Sequence, residues 1–341
     1  MINRKILINT FQHLSEVLSS YPDNDTFKTA ESENPWFTPE FSSFAFKAIA
    51  QAITKDKVVD FYHKNDYPFP KNPKSVGLAM AGNIPLAGFF DLMMILLSGN
   101  KAIIHKSHAD TIFPHLIVNE LFKITPALKS FIFFSESLKD VNALIASGSD
   151  NSAMYFSYYF KHIPHIIRKN RNAVAIINDI KKIDFHSKQG LADDMLLYFG
   201  LGCRNVSKLY TTDKINENQF TGFIFDLVEP YRYLSKHINY ANNYLYQKTL
   251  FTMNEIKFYD NGFILLVPAH KIHSPVSVYH FQFLSNEEAT CEEIEKNRDS
   301  IQCIATEKGY LAGSIPFGKT QQPELWDFAD GINVMEFLAK I

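Results

Sequence analysis

Cys203 is the residue whose type and setting most invite chemistry. It stands in FGLGCRNVSKLY, with glycines at 200 and 202 and cations at Arg204 and Lys208. A thiolate attacks carbonyl carbon well and also leaves well, so one cysteine can accept an acyl group and later release it. The glycines let the backbone turn and let a substrate come close. A neighbouring cation lowers the thiol pKa from its ordinary value of about 8.5. The competing reading is a buried structural cysteine, the commonest fate of a free thiol. Cys291 and Cys303 fall in ordinary helix and strand patterns and read as structural. Three cysteines without CxxC spacing suit neither a disulfide framework nor a metal set. His270, His273 and His280, spaced by three and seven with no nearby glutamate, read as surface residues, so no metal site is expected.

Three polar turns are the other candidates. AGNIP carries Asn83, a residue type that stabilises its own turn. KSHADT carries Lys106 and His108 directly after an apolar run, where a lysine is ordinarily solvated. SGSDNS, with Gly148 and Ser149, has the composition of a capped helix start, and the N–H groups of such a start also favour phosphate. No GxGxxG occurs, which excludes the usual dinucleotide fingerprint.

These turns need elements to hold them. Ile6, Phe11, Leu14 and Leu18 recur at near-helical spacing, as do Phe44, Ile49 and Ile53. After a proline-rich boundary at HKNDYPFPKNPKS the pattern becomes strand, turn, helix. Strands are expected over Ser75–Met80, Ala102–His105, Phe131–Phe134 and Ala173–Ile177, with a buried helix in LAGFFDLMMILLSGN and a helix or turn over Leu138–Ala146. Helices over Ser187–Phe199 and Asn239–Met253 and strands over Phe263–Val267, Val276–Phe283 and Ile301–Ala305 follow. Alternation of this kind argues for a parallel α/β sheet. The aromatic cluster Tyr155, Phe156, Tyr158, Tyr159 and Phe160 reads as core. With 34 basic and 36 acidic residues the net charge is −2, so the excess of cations that a nucleic-acid binder shows is absent. At 46% apolar the 341-residue chain is not disordered.

AGNIP, then SGNKAIIHKSHADT about 20 residues on, then FGLGCRNVSKLY, together resemble the aldehyde dehydrogenase superfamily. The last of these and the C-terminal GSIPFGKTQQPELWDFADG look like its acyl-CoA reductase branch, which includes the bioluminescence fatty-acid reductase. The resemblance covers residues 75–341. It implies that Cys203 is the nucleophile and that the Asn83 amide donates to the oxyanion of the thiohemiacetal. It implies that Lys106 binds the adenine-side ribose of a nicotinamide cofactor, with His108 beside it, and that Gly148 and Ser149 precede the helix that faces the pyrophosphate. Ala109 stands where NAD-preferring members carry a glutamate, which removes a repulsion against a 2′-phosphate and points to NADPH rather than NADH. Hydrolytic members also carry a water-activating glutamate about 34–36 residues before the cysteine. The matching stretch here, IIRKNRNAVAII, has no carboxylate, with His162, His165 and Arg168 as the replacements at hand.

The expected architecture is therefore α/β and aldehyde dehydrogenase-like. It comprises a helical N-terminal cover at 1–70, a Rossmann-like cofactor domain at 71–183, a catalytic domain with Cys203 at 184–310 and a C-terminal return segment at 311–341. The expected activity is NADPH-dependent reduction of a long-chain acyl-CoA or acyl-carrier thioester to an aldehyde. The alternatives are an oxidising aldehyde dehydrogenase and a non-catalytic acyl-acceptor subunit of a synthase-reductase assembly. An acyl carrier protein and an acyl-protein synthetase subunit are the expected partners, and a cytoplasmic homo-oligomer the expected form. No integral membrane segment is expected, since the longest apolar stretch, from Ile84 to Ser98, contains Asp91 and is too short.

Overall fold

The computed structural model describes residues 2–22, 25–65 and 67–341. The chain forms two units, one of Met1–Asn170 with Gln322–Ile341, the other of Arg171–Gln321.

The first unit opens with helices α1 (Arg4–Ser19), α2 (Asp25–Glu33), α3 (Pro39–Ala52) and α4 (Lys55–Lys64). Asn3 caps α1 by accepting from the Ile6 amide, and Thr38 caps α3 ahead of Pro39 at its first position. Leu7, Phe11 and Leu14 on α1 are fully buried, each such side chain stabilising by about 1.5–3 kcal/mol. Alternating strands and helices follow: β1 (Ser75–Ala79), α5 (Phe89–Leu97), β2 (Lys101–His105), α6 (Phe113–Ile124), β3 (Ile132–Phe134), β4 (Ala143–Ser147), α7 (Asp150–Tyr159) and β5 (His165–Arg168). The sheet runs β3-β2-β1-β4-β5 and every pair is parallel. In α5, FFDLMMILL, Phe90 alone is only partly buried, because strands β1 and β2 and helix α1 all pack against it. The helical N-terminus shares one core with this sheet.

The second unit contains β6 (Asn172–Ile177), α8 (Phe185–Leu196), β7 (Val206–Thr211), α9 (Glu217–Val228), α10 (Ile238–Met253), β8 (Tyr259–Asp260), β9 (Leu265–Pro268), β10 (Val278–Phe283), α11 (Glu287–Lys296), β11 (Ile301–Thr306) and β12 (Ile315–Pro316). Its sheet runs β12-β11-β6-β7-β10-β9-β8, parallel except for β8 against β9. The tail then rejoins the first unit. Lys57 pairs with Glu324 at 2.6 Å, and α12 (Val334–Ala339) buries Val334, Met335 and Leu338 in the core around α5.

Four expectations need correction. The break between units falls at 170/171 rather than 183, because β6 is buried along its whole length and pairs with both β7 and β11. For the same reason the second unit runs past 310 to Gln321, its strand β12 pairing with β11. The stretch 138–146, read as helix or turn, ends in strand β4, whose apolar run is buried on both faces and so shows no alternation. Tyr155, Tyr158 and Tyr159 are exposed on α7 rather than core, while Phe156 and Phe160 pack beneath.

Candidate active site

In the first unit the chain order reverses beside β1. Strands β2 and β3 lie on one side of it, β4 and β5 on the other. Open parallel sheets take ligands outside the carboxyl ends of their strands at such a switch point. Asn83 is exposed in the loop after β1, Lys106 and His108 follow β2, and Gly148 and Ser149 follow β4. The structure thus brings these five residues to one edge of three adjacent strands.

The loops after β1 and β2 are built as one wall. A Cβ on Gly82 would sit 2.5 Å from Ser107 Oγ and 2.7 Å from Ser107 Cβ. Asp110, buried, accepts from the Leu86 amide at 3.2 Å and from the Phe113 amide at 3.2 Å. One carboxylate therefore ties the Asn83 loop, where Leu86 holds φ at 60°, to the first turn of α6. Burial pushes the Asp110 carboxyl up to about 6 despite both amide bonds. His115 on α6 packs against Phe134 at the end of β3, ring centroids 3.9 Å apart and planes tilted by 35°. Burial lowers its pKa, and the nearby Lys106 charge lowers it further.

Ser149 caps α7 by accepting from the Ser152 amide at 3.3 Å, so Gly148 and Ser149 stand at a helix N-terminus. Arg168 ends β5 next to Ser147 and is paired, both ends buried, with Asp91 in the first turn of α5. Its Nη2 donates to Asp91 Oδ1 at 2.9 Å. His165, an expected replacement for the missing glutamate, begins β5 and is exposed at the opposite edge. His162 lies before the same strand, also exposed. Of the three, Arg168 is the one at the carboxyl edge.

In the second unit Cys203 is exposed on the turn between α8 and β7. The chain reaches it through three consecutive left-handed residues, Tyr198 (φ 53°), Phe199 (φ 58°) and Gly200 (φ 77°). Two of them are not glycine, at a cost of about 1–2 kcal/mol each. Burial of the Tyr198 and Phe199 side chains and a buried amide offset this. Asn205 Oδ1 accepts from the Gly202 amide at 2.8 Å, and its Nδ2 donates to the carbonyls of Asp194 in α8 at 3.1 Å and of Leu197, just past its end, at 2.9 Å. Asn205 therefore closes the end of α8 and shapes the cysteine turn together. Lys208 is fully buried on β7, donating to the Ala269 carbonyl and, at 3.1 Å, to Gln282. Burial brings its pKa down to about 8.

Asp110, His115 and Asn205 were not legible as site residues, nor was the pairing of Asp91 with Arg168, of which only the arginine stood out in the sequence. Each acts through backbone groups or partners distant in sequence, and only the polar type of Asn205 beside the cysteine was a signal. His280, expected at the surface, is buried on β10 with Nδ1 2.9 Å from the Lys271 carbonyl oxygen, and burial lowers its pKa to about 4. Among the described residues no group of three or more His, Cys, Asp or Glu is placed to hold a metal ion, and no helix is long and apolar enough to cross a membrane.

Comparison with solved structures gives the fold. The chain is similar to the indole-3-acetaldehyde dehydrogenase AldA of P. syringae, solved with NAD+ and IAA (TM-score 0.65, 10% identity, 92% of this chain and 74% of that one). It is also similar to an acetylating aldehyde dehydrogenase of Geobacillus thermoglucosidasius (TM-score 0.59, 8% identity, 90% and 77%). A third similar structure is the propionaldehyde dehydrogenase of the Clostridium phytofermentans fucose-utilisation microcompartment (TM-score 0.60, 8% identity, 94% and 82%). Comparison with curated protein sequences gives no significant match. The family model for acyl-CoA reductase (LuxC) matches residues 45–157, a stretch holding Asn83, Lys106, His108, Gly148 and Ser149 but not Cys203. Over those residues the chain carries the sequence pattern of acyl-CoA reductase (LuxC), and its fold is that of the aldehyde dehydrogenases.

Proposed function

We propose that the chain reduces an acyl thioester of CoA or of an acyl carrier protein to the aldehyde, with NADPH as reductant. One observation carries this reading: Asn83, Lys106 and Ser149 share the switch-point edge of one parallel sheet, inside the stretch that matches acyl-CoA reductase. The donor set there fits a nicotinamide dinucleotide. Lys106 offers a cation for ribose hydroxyls, and Ser149 opens a ten-residue helix whose N-terminus favours a diphosphate. Gly148 keeps that turn tight, for a Cβ on it would lie 2.9 Å from Ser152 Cβ. A reduced nicotinamide supplies the hydride when bound. Ala109, exposed beside His108, sets no carboxylate against a 2′-phosphate, which favours NADPH over NADH.

Cys203 attacks the thioester carbonyl, and the carrier leaves as its thiol. The cysteine holds the acyl group through reduction and regains its thiolate when the aldehyde departs. The Asn83 amide donates to the carbonyl oxygen as charge develops there, a contribution of about 3 kcal/mol. The carboxyl end of β5 presents Arg168, already bound to Asp91, where a water-activating base is otherwise expected. A missing base slows its step by about 10²–10⁴-fold, so hydrolysis of the acyl-cysteine loses to reduction. A long acyl chain, an acyl-protein synthetase partner and a cytoplasmic homo-oligomer belong to the same proposal, through the resemblance.

The test is intact mass spectrometry of wild type and Cys203→Ala after incubation with acyl-CoAs of graded length. Wild type gains one acyl mass without reductant and releases aldehyde when NADPH is added. An adduct that survives in Cys203→Ala, or free acid as the main product at saturating NADPH, would overturn the proposal.

A further inference from the structure

The tail motif GSIPFGKTQ takes no part in the function proposed so far. Gly313 to Thr320 spells GxxxxGK[ST], the phosphate-loop pattern. The structure gives this loop a different anion. Gly318 N–H donates to Asp194 Oδ2 at 2.7 Å, Thr320 N–H to Oδ1 at 3.0 Å, and Thr320 Oγ1 to Oδ1 at 2.6 Å. Asp194, on α8, is 1% exposed, so an internal carboxylate fills the nest of amides. The next α-helix, α12, begins only at Val334, so no helix N-terminus backs the loop as a phosphate site requires.

Two more contacts fix the same loop. A Cβ on Gly190, one turn before Asp194, would lie 2.7 Å from the Phe317 carbonyl carbon and 2.8 Å from Gly318 N. Helix and loop therefore touch backbone to backbone. On its other side the Thr320 carbonyl accepts from Arg204 Nε at 2.6 Å. Arg204 is the residue after Cys203.

We infer that Asp194 and Thr320 are positioning residues for Cys203: they lock loop 317–321 onto α8 so that the Thr320 carbonyl holds the Arg204 guanidinium at the cysteine turn. A guanidinium has five donors on a long, freely rotating stem, and a fixed acceptor at Nε sets its plane. A cation held close to a thiol favours the thiolate, whereas one swinging in solvent does so weakly. Three hydrogen bonds to one buried carboxyl group are enough to hold the acceptor still. The inference rests on Cys203 as the acyl acceptor for its meaning in turnover. Its test reads the thiol alone and so stands apart from whether the chain reduces thioesters.

The probe is iodoacetamide at pH 7 on the full chain, with peptide mass spectrometry following Cys203, Cys291 and Cys303 separately. Thr320→Val keeps the shape and removes the hydroxyl donor, Thr320→Ser keeps the donor, Asp194→Asn removes the charge, and Arg204→Leu removes the cation itself. Arg204→Leu should slow alkylation of Cys203 by about three- to tenfold, and Thr320→Val and Asp194→Asn should slow it by up to the same factor. Thr320→Ser should match wild type, with Cys291 and Cys303 unmoved throughout. If Asp194→Asn loosens the fold, half-buried Cys303 will report it by reacting faster, and the Thr320 pair then decides. An unchanged Cys203 in Thr320→Val, a loss in Thr320→Ser equal to that in valine, or no effect of Arg204→Leu would overturn the inference.

Discussion

Replacing Gly82 by alanine asks whether the Asn83 and Lys106 loops act as one wall. The added methyl would begin 2.5 Å from Ser107 Oγ, 2.7 Å from Ser107 Cβ and 3.0 Å from Ala109 Cβ. Ordinary contact needs about 3.5 Å or more, so one loop must yield by roughly 1 Å. Ser107 cannot simply rotate away, because its Oγ accepts from the Ala109 amide at 3.1 Å and its Cβ is itself too close. Overpacking of this kind costs about 1–3 kcal/mol of stability. An error of 1 Å in a positioning loop lowers turnover by as much as about 10²-fold. The assay is thermal unfolding together with kcat and the KM for NADPH. A lower Tm, a kcat down by about ten- to a hundredfold, and partial recovery in Gly82→Ala/Ser107→Gly are expected, since the second change removes the two nearest of the three atoms and leaves Ala109 Cβ. Unaltered Tm and kcat in the single variant would refute the packed wall and, with it, the shared placement of Asn83 and Lys106.

Three further outcomes follow from the same geometry. Burial pushes the Asp110 carboxyl up to about 6 from its ordinary value of 3.8, so the folded chain binds that proton more tightly. Its contribution to stability is therefore greatest below about pH 4 and declines by about 3 kcal/mol as pH rises to about 6; Asp110→Asn should flatten this part of a Tm-against-pH curve, and an identical slope would exclude the assignment. Ala109→Glu should shift kcat/KM toward NADH by about tenfold, or roughly 1.4 kcal/mol, and the idea fails if wild type already uses NADH as well as NADPH. Arg168→Met strands the Asp91 carboxylate and should cost about 3–5 kcal/mol in denaturant unfolding, largely regained in Asp91→Leu/Arg168→Met; equal losses in single and double variants would show that the pair is not the source.

Much of the fold was legible because its strongest signals are local. The apolar runs of β1, β2, β6 and β10 and the helix α5, apolar but for Asp91, read correctly from residue type and period. Strand β4 escaped because ALIAS has neither alternation nor the β-branched run that marks the likewise buried β6. The unit boundary escaped because nothing local tells which sheet a strand such as β6 will join. Asn83, Lys106 and Ser149 were visible as polar residues in turns, and their meeting at one edge came from strand order, which single-chain patterning does not supply.

The residues that sequence reading missed share a physical pattern. Asp110 grips an amide 24 residues back, and Asp194 grips amides more than 120 residues ahead. Both carboxylates are buried, and burial raises both pKa values, to about 6 and about 7. A buried carboxylate is stabilising only while its donors stay in place, so each anchor resists movement of the loop it holds. The loops they hold carry Asn83 in one case and, through Arg204, the turn of Cys203 in the other. Rigidity is thus supplied from beneath by groups that never need to meet a substrate, while Asn83 and Cys203 lie exposed above. The strained run at Tyr198, Phe199 and Gly200 fits this arrangement. A left-handed turn with two bulky residues persists only where the surroundings over-determine it. Asn205 does so locally, and the Asp194–Thr320 lock does so from the tail, which is why a cysteine turn of unfavourable backbone geometry can hold one conformation.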